Sequence, residues 1–203
     1  MWPSVLQSFR TTLVSEGYAR HMYLDTRGLV TTGQGDLIDP VKEAQKLPWL
    51  DEGLLASTEA VTAAWNLVKS HQEMKAEGGM AFAKLTTLRL TDGAVSLLVT
   101  KTCTWMISTL EERYPWLVQA RADAQLAVLR WAWANGPNAE YPKMFAALER
   151  GDYAAANAES VWTNETEETR AILEALFSFA AEAEAHALDP SVLLYPTGYF
   201  PSN

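Results

Sequence analysis

Between Tyr18 and Gly35 the helical periodicity that runs through most of this chain breaks down, and that interruption most constrains the fold. Gly17, Gly28, Gly33 and Gly35 punctuate short β-prone pieces around Tyr23–Leu24 and Leu29–Thr32. Such spacing specifies a small antiparallel hairpin, expected as the one convincing sheet of the chain. A single hairpin cannot bury both its faces, so the helices on either side must supply the core. The expected fold class is therefore α+β and mostly helical.

The helices follow from apolar spacing and from their end signals. Pro3 suits a first helical turn, and Val5, Leu6, Phe9 and Leu13 give one apolar face up to about Ser15. Asp39-Pro40 opens a short helix, with Asp39 as its cap, and Pro48 closes it. Ser57 caps a longer helix bearing Val61, Ala64, Trp65 and Val68, which Gly78-Gly79 ends. Met80–Leu90 is ambiguous between strand and loop. A long helix is expected from about Asp92 to Arg113, with Val95, Leu98, Thr102, Met106 and Leu110 inward and Tyr114-Pro115 as its stop. Ala124–Asn135, started near Asp123, ends at Asn135-Gly136-Pro137. Further helices are expected at Pro142–Glu149, Asp152–Val161 and Glu165–Ala187. The segment 189–203 is extended by its prolines, and its apolar side chains, Leu193, Leu194, Tyr195, Tyr199 and Phe200, predict that it packs back on the body or on a partner.

Composition narrows the function. The chain has 203 residues, enough for one domain or two small lobes. A net charge of −9 argues against nucleic-acid binding, which needs clustered Lys and Arg on phosphates. No apolar stretch approaches the roughly 18 residues of a membrane span. Arg10 and Glu16 fall where a signal peptide needs an apolar core, so synthesis in the host cytoplasm without a leader is expected. Cys103 is the single cysteine, in an apolar helical stretch, and is expected as a buried spectator. His21, His71 and His186 are too far apart for a local metal motif, and no metal or other cofactor is expected. Trp65, Trp105, Trp131 and Trp133 are assigned to the core.

The chemistry is concentrated in the segment that interrupts the helices. Glu16 stands at a helix end, Asp25 on the following hairpin, and Thr31 on the returning strand. Glycosidic cleavage needs one carboxyl that stays protonated to donate to the leaving oxygen. A second must stay ionised, to stabilise positive charge or orient water. Glu16 is the better acid candidate, because helical carbonyls at a C-terminus disfavour its anion. Spacing alone leaves a second reading open: a helix stop followed by a tight turn.

The segment resembles the phage-type lysozymes of glycoside hydrolase family 24. Their pattern is Glu-Gly, eight residues between Glu and Asp, then Asp-Thr/Ser-x-Gly-x-x-Thr-x-Gly-x-Gly. Glu16, Gly17, Tyr23, Asp25, Thr26, Gly28, Thr31, Gly33 and Gly35 match it without a gap. The resemblance implies that Glu16 is the general acid, that Asp25 holds the water or the developing charge, and that Thr31 fixes that water. It also implies that Gly33 and Gly35 let a sugar approach the backbone. Gln125–Gly136 is similar to the family's central helix, which places Asn135 beside the cleft, and Phe145–Ala156 to the helix pair that follows. Ser160–Thr166 is similar to its tryptophan-containing turn, with Trp162 in a substrate-binding role. Arg170 falls one residue from the position of an arginine that supports the catalytic Glu. The stretch of about 48–90 and the tail after Leu188 are unmatched. Asp36 stands where many members have His, and the family's C-terminal Arg-Arg run is missing. An acidic group there could raise the pKa of a neighbouring carboxyl.

What this implies is a single lysozyme-like domain over 1–203. Its small lobe would cover approximately 15–60, its helical lobe approximately 1–14 and 61–188, and its extended tail 189–203. The implied activity is an inverting muramidase, cutting the β-1,4 bond between N-acetylmuramic acid and N-acetylglucosamine in peptidoglycan. It would act as a monomer on the wall, after release through a holin or delivery by a virion or secretion device. The net charge gives no long-range attraction to an anionic wall. It favours the alternative, a lysozyme-fold structural or binding module without turnover. The third reading is a helical interaction protein that matches by chance.

Overall fold

The computed structural model describes residues 1–13, 17–163 and 165–196. Among them the fold is α+β and mostly helical, with a small antiparallel sheet. The chain divides into two compact units. One comprises Met1–Ser15 with Cys103–Asn203, the other Glu16–Thr102.

The second unit is built around a three-stranded meander of β1 (Ala19–Leu24), β2 (Val30–Gly33) and β3 (Asp36–Leu37). Tyr23 faces Thr31 and Leu24 faces Val30 in register, and Thr31 and Thr32 pair with Leu37 and Asp36. The glycine-bounded hairpin therefore gains a third strand. Two-residue periodicity could not announce β3, which has only two residues. Next come α2 (Val41–Ala44), β4 (Leu50–Asp51) and β5 (Leu54–Leu55), then α3 (Thr58–Ser70). The β4–β5 hairpin corrects the expectation of a single sheet. Leu50 also bridges to Arg89, which resolves the ambiguous stretch 80–90 as a 3-10 turn at Gly79–Lys84 followed by a short extended run. Ser57 caps α3 as expected, its Oγ accepting the Ala60 N–H at 3.2 Å. The helix stops at Ser70, before the Gly78-Gly79 pair expected to end it. Asp39 does not cap α2. Its carboxylate instead takes the Val30 N–H and the Lys69 ammonium.

Met22, Leu24, Val30, Ile38, Trp49, Val61, Val68, Phe82, Leu90 and Val95 form the core of this unit. It contains α3 and the first part of α4 (Asp92–Arg113), so the unit runs on to Thr102, well past the residue 60 expected as the small lobe's end. On α4 the buried stripe is Val95, Val99, Cys103, Met106 and Leu110, steps of three and four residues. Leu98 and Thr102, expected inward, are only half-buried beside it. Trp105 lies off the stripe and is 53% exposed, which corrects its assignment to the core. Cys103 is buried, as its apolar setting predicted.

The first unit packs α1 (Pro3–Phe9), α5 (Ala122–Asn135), α6 (Pro142–Glu149), α7 (Tyr153–Glu159) and α8 (Glu167–Ala185). Every residue of α5 from Ala122 to Ala132 is buried. A helix surrounded on all sides has no amphipathic face, and its polar residues must find partners inside. Trp131 meets Tyr141 and Phe145 edge-on, and Tyr114 stacks on Phe145 at 3.8 Å. Asp152 and Thr166 cap α7 and α8 through the N–H groups of Ala155 and Thr169. No helix among the described residues is long and apolar enough to cross a membrane.

The segment after α8 packs back, as its apolar content predicted. Leu194 is fully buried, and the carboxylate of Asp123, itself buried, accepts the N–H groups of Leu194 at 3.0 Å and Tyr195 at 2.9 Å. Tyr199 and Phe200 lie outside the described residues. Replacing Asp123 with Ala leaves one buried and one part-buried amide without an acceptor. We expect a loss of about 2–3 kcal/mol in urea unfolding, with faster hydrogen exchange at the amides of 194 and 195. Unchanged exchange there would show that the Asp123 carboxylate does not anchor the segment.

Candidate functional site

The β1–β2 hairpin carries the residues singled out by the sequence. Asp25 directly follows β1, and its N–H donates to Leu29 O at 2.9 Å, which prolongs the ladder by one pair. Side chains alternate along a strand, so Asp25 shares a face with Tyr23, and Tyr23 shares it with its partner Thr31. Asp25 and Thr31 are thus diagonal neighbours across the hairpin.

Both also hold the turn together. Asp25 Oδ1 accepts the N–H groups of Arg27 at 2.9 Å and Leu29 at 2.8 Å, and Oδ2 lies 3.2 Å from Arg27 Nε. The Asp25 side chain is 22% exposed. Gly28, at φ +77°, closes the turn by donating its N–H to Asp25 O at 2.9 Å. Thr31 is 3% exposed, and its hydroxyl donates to Leu29 O at 3.1 Å on its own strand.

The turn is gripped from outside by Lys69 on α3 and by Gln72 in the 3-10 turn just beyond its end. Lys69 Nζ donates to Gly28 O at 2.9 Å and lies 2.5 Å from Asp39 Oδ2. Gln72 Nε2 donates to the same Gly28 carbonyl at 3.2 Å. Trp65, one turn earlier on the same face, donates its indole N–H to Ile38 O at 3.1 Å. Sequence reasoning placed Trp65 in the core and passed over Lys69 and Gln72. The available signal was their spacing at i, i+4 and i+7.

Gly33 and Gly35 sit at the next turn. Gly33 has φ +66°, and a Cβ there would stand 2.6 Å from Asp36 Oδ2 and 3.4 Å from Val95. The space freed at Gly33 is therefore occupied by protein. Gly35, at φ +101°, is exposed. Asp36, the residue that departs from the family pattern, is 2% exposed. Its Oδ1 accepts the Thr102 hydroxyl at 3.1 Å, while Oδ2 has no partner. Burial pushes its carboxyl up to about 6, against the pull of hydrogen bonds from Thr102 and the Gln34 backbone. His21, also on β1, is buried with Nε2 2.8 Å from Gly79 O, and burial lowers its pKa.

The other sequence-predicted residues belong to the first unit. Asn135 ends α5 and donates its side-chain amide to Trp131 O at 3.0 Å. Trp162, half-buried, stands on the turn between α7 and α8. Arg170 is held on four sides. It donates to Ser160 Oγ at 3.1 Å and to Asn157 Oδ1, and it lies 3.6 Å from Glu165 and 3.3 Å from Glu174. Glu165, missed in the sequence, has a side chain only 6% exposed, with Oε1 unpartnered. Burial raises its pKa, and Arg170 and the buried Arg130 pull it back. Glu16 lies outside the described residues, as does any contact it makes with Arg170.

No family model matches the chain, and no curated protein matches it.

The raised carboxyl of Asp36 gives a signed pH dependence. The unfolded chain ionises near 3.8 and the folded one near 6. Between those values the native state binds more protons, so stability falls as pH rises. The penalty is absent below about pH 4 and complete above about pH 6, at about 3 kcal/mol. Asp36→Asn cannot ionise. Its unfolding free energy relative to wild type should therefore improve by about that amount between pH 4 and pH 7. A difference constant with pH would refute the assignment.

Proposed function

We propose that this chain is a peptidoglycan hydrolase of the phage-lysozyme type. It would cleave the β-1,4 bond between N-acetylmuramic acid and N-acetylglucosamine. The observation that supports this reading most is the hairpin register, which sets Asp25 and Thr31 diagonally on one face. Combined with the ungapped spacing from Glu16, it supports a carboxylate and a hydroxyl on neighbouring strands that would share one water once the Thr31 hydroxyl leaves Leu29 O. In the proposed reaction Glu16 protonates the leaving oxygen. Water held by Asp25 and Thr31 attacks the sugar carbon from the opposite face and passes its proton to the Asp25 carboxylate, so the carbon inverts as its bond to the leaving oxygen breaks. The exposed Gly35 would let a sugar approach the backbone, whereas the space at Gly33 is taken by Asp36; for Asn135, Trp162 and Arg170 the proposed roles are those the resemblance implies. The chain would work on the wall as a monomer, after release or delivery from its site of synthesis.

One observation favours a second reading, a lysozyme-fold module that binds without turnover. The Thr31 hydroxyl is buried on its own strand's carbonyl, and all three donors to Asp25 come from its own turn. Catalysis would require Thr31 to exchange that bond for one to water.

The two readings separate in a clearing assay on purified peptidoglycan and on permeabilised Gram-negative cells. Wild type should clear both, and Glu16→Gln and Asp25→Asn should each lose at least about 100-fold, as expected for a general acid or a water-holding base. Clearing that survives Glu16→Gln removes Glu16 from its role. A wild type that sediments with peptidoglycan yet releases no reducing ends would establish the binding module instead.

A further inference from the structure

We infer that Lys69 and Gln72 are positioning residues that set Asp25 in its working place by clamping the Gly28 carbonyl from the end of α3 and the 3-10 turn that follows it; this rests on the function proposed above. The β1–β2 turn of residues 25–29 is closed by bonds within itself, and four of them end on Asp25. These are the N–H groups of Arg27 and Leu29 and Arg27 Nε on its carboxylate, and the Gly28 N–H on its carbonyl. A turn tied only to itself can still tilt as a body at the end of its two strands. Gly28 O is the atom through which the rest of the unit stops it. Lys69 Nζ and Gln72 Nε2 both donate to this oxygen, at 2.9 and 3.2 Å.

The donors are themselves fixed. Lys69 Nζ is also paired with Asp39 Oδ2, and that oxygen accepts the N–H of Val30, the residue next to Thr31. One ammonium therefore ties the turn bearing Asp25 to the strand bearing Thr31. Lys69 Nζ also stands 5.7 Å from the centre of the Trp65 ring, which confines its long stem. The amide of Gln72 spans from Gly28 O to Lys69 O, the latter at 2.9 Å. A side chain at residue 28 would push the Gln72 amide out of this place, since a Cβ there would lie 2.2 Å from Gln72 Oε1. Gly28 thus serves the turn and also the close approach of the clamp. The arrangement is more than helix packing requires, because two donors converge on one carbonyl that no apolar contact needs held.

The test compares Lys69→Ala, Lys69→Arg and Gln72→Ala in the full chain. Ser57→Ala serves as control: it weakens the same helix at its far end by about 1 kcal/mol without touching the turn. Two quantities are read: amide hydrogen exchange at residues 27, 28 and 29, and kcat and KM for reducing-end release from soluble glycan strands. Lys69→Ala should speed exchange at those amides while leaving the ladder amides of β2 and β3 slow. Its kcat should fall on the order of 10-fold, within the ~100-fold that an ångström of misplacement costs, with KM little changed. Gln72→Ala should do the same more weakly, Lys69→Arg should recover part of the loss, and Ser57→Ala should change neither reading. If wild type turns over and Lys69→Ala keeps its kcat, or if exchange at 27–29 is unaltered, the positioning role is overturned and the proposed activity stands. If wild type releases no reducing ends, the activity itself falls and this role in it falls too. The exchange readings would then show the clamp as architecture only.

Discussion

The carboxylate of Asp39 is where the second unit's sheet and helix are joined by charge. It accepts the N–H of Val30 at 3.1 Å and the ammonium of Lys69 at 2.5 Å, and it is only 16% exposed at the side chain. A partly buried carboxylate beside one cation and one amide interacts more strongly than an exposed pair would. Around it the rest of the unit is ordered in sequence. β2 is pinned at Val30, the β1–β2 turn is pinned at Gly28 through the same lysine, and Trp65 fixes Ile38 just beyond β3. Below these bonds the apolar residues Val30, Ile38, Val61 and Val68 close the core. The polar bonds determine where the hairpin sits, and the core supplies most of the free energy that keeps it there.

Local signals in the sequence were enough for the hairpin and most helices. Gly28 and Gly33 both take positive φ, and Ser57 caps α3 as written. The stop of α4 at Arg113, ahead of Tyr114-Pro115, and the end of α5 at Asn135, ahead of Gly136, follow from proline and glycine chemistry. What was not legible depended on partners distant in sequence. Asp39 looked like a helix cap because Asp-Pro is a cap signature, yet its partners are Val30 and Lys69, nine and thirty residues away. The β4–β5 strands are two residues each, below the length at which alternation can be detected. Trp105 has the composition of a core residue and the register of a surface one. Motif spacing singled out Asp25 and Thr31, on which the proposed function rests, whereas Lys69 and Gln72 lie in the stretch the resemblance does not reach.

Two buried aspartates show how the same chemistry can be accommodated at different cost. Asp123 lies within a helix buried on all sides, and two backbone amides from the returning segment answer its carboxylate. Its pKa is raised by burial and drawn back by those amides. Asp36 receives one hydroxyl and one backbone donor, and its second oxygen faces Gly33 with nothing to accept from. The first aspartate organises a chain segment. The second is a burden on stability near neutral pH, set three residues along the chain from Gly33, whose missing side chain makes room for it.

That burden sits on the same sheet as the candidate site, which limits what Asp36 can be doing there. Thr32 pairs with Asp36 across β2 and β3, so the two share one face, and Thr31 points to the other. Asp36 therefore does not address the face shared by Asp25 and Thr31. Its effect on them would have to pass through the position of β2. The anchor of β2 on its other side is Asp39, through Val30. This strand of four residues is held at Val30 by the Asp39 carboxylate and at Thr32, whose buried hydroxyl donates to His21 O at 3.0 Å. Thr31 lies between the two. For the hydroxyl of Thr31 to reach a bound water, it must turn about its own χ1 and give up its bond to Leu29 O. The proposed chemistry thus needs a firm hairpin and one mobile hydroxyl, and the Lys69–Asp39 pair provides the firmness without touching that hydroxyl.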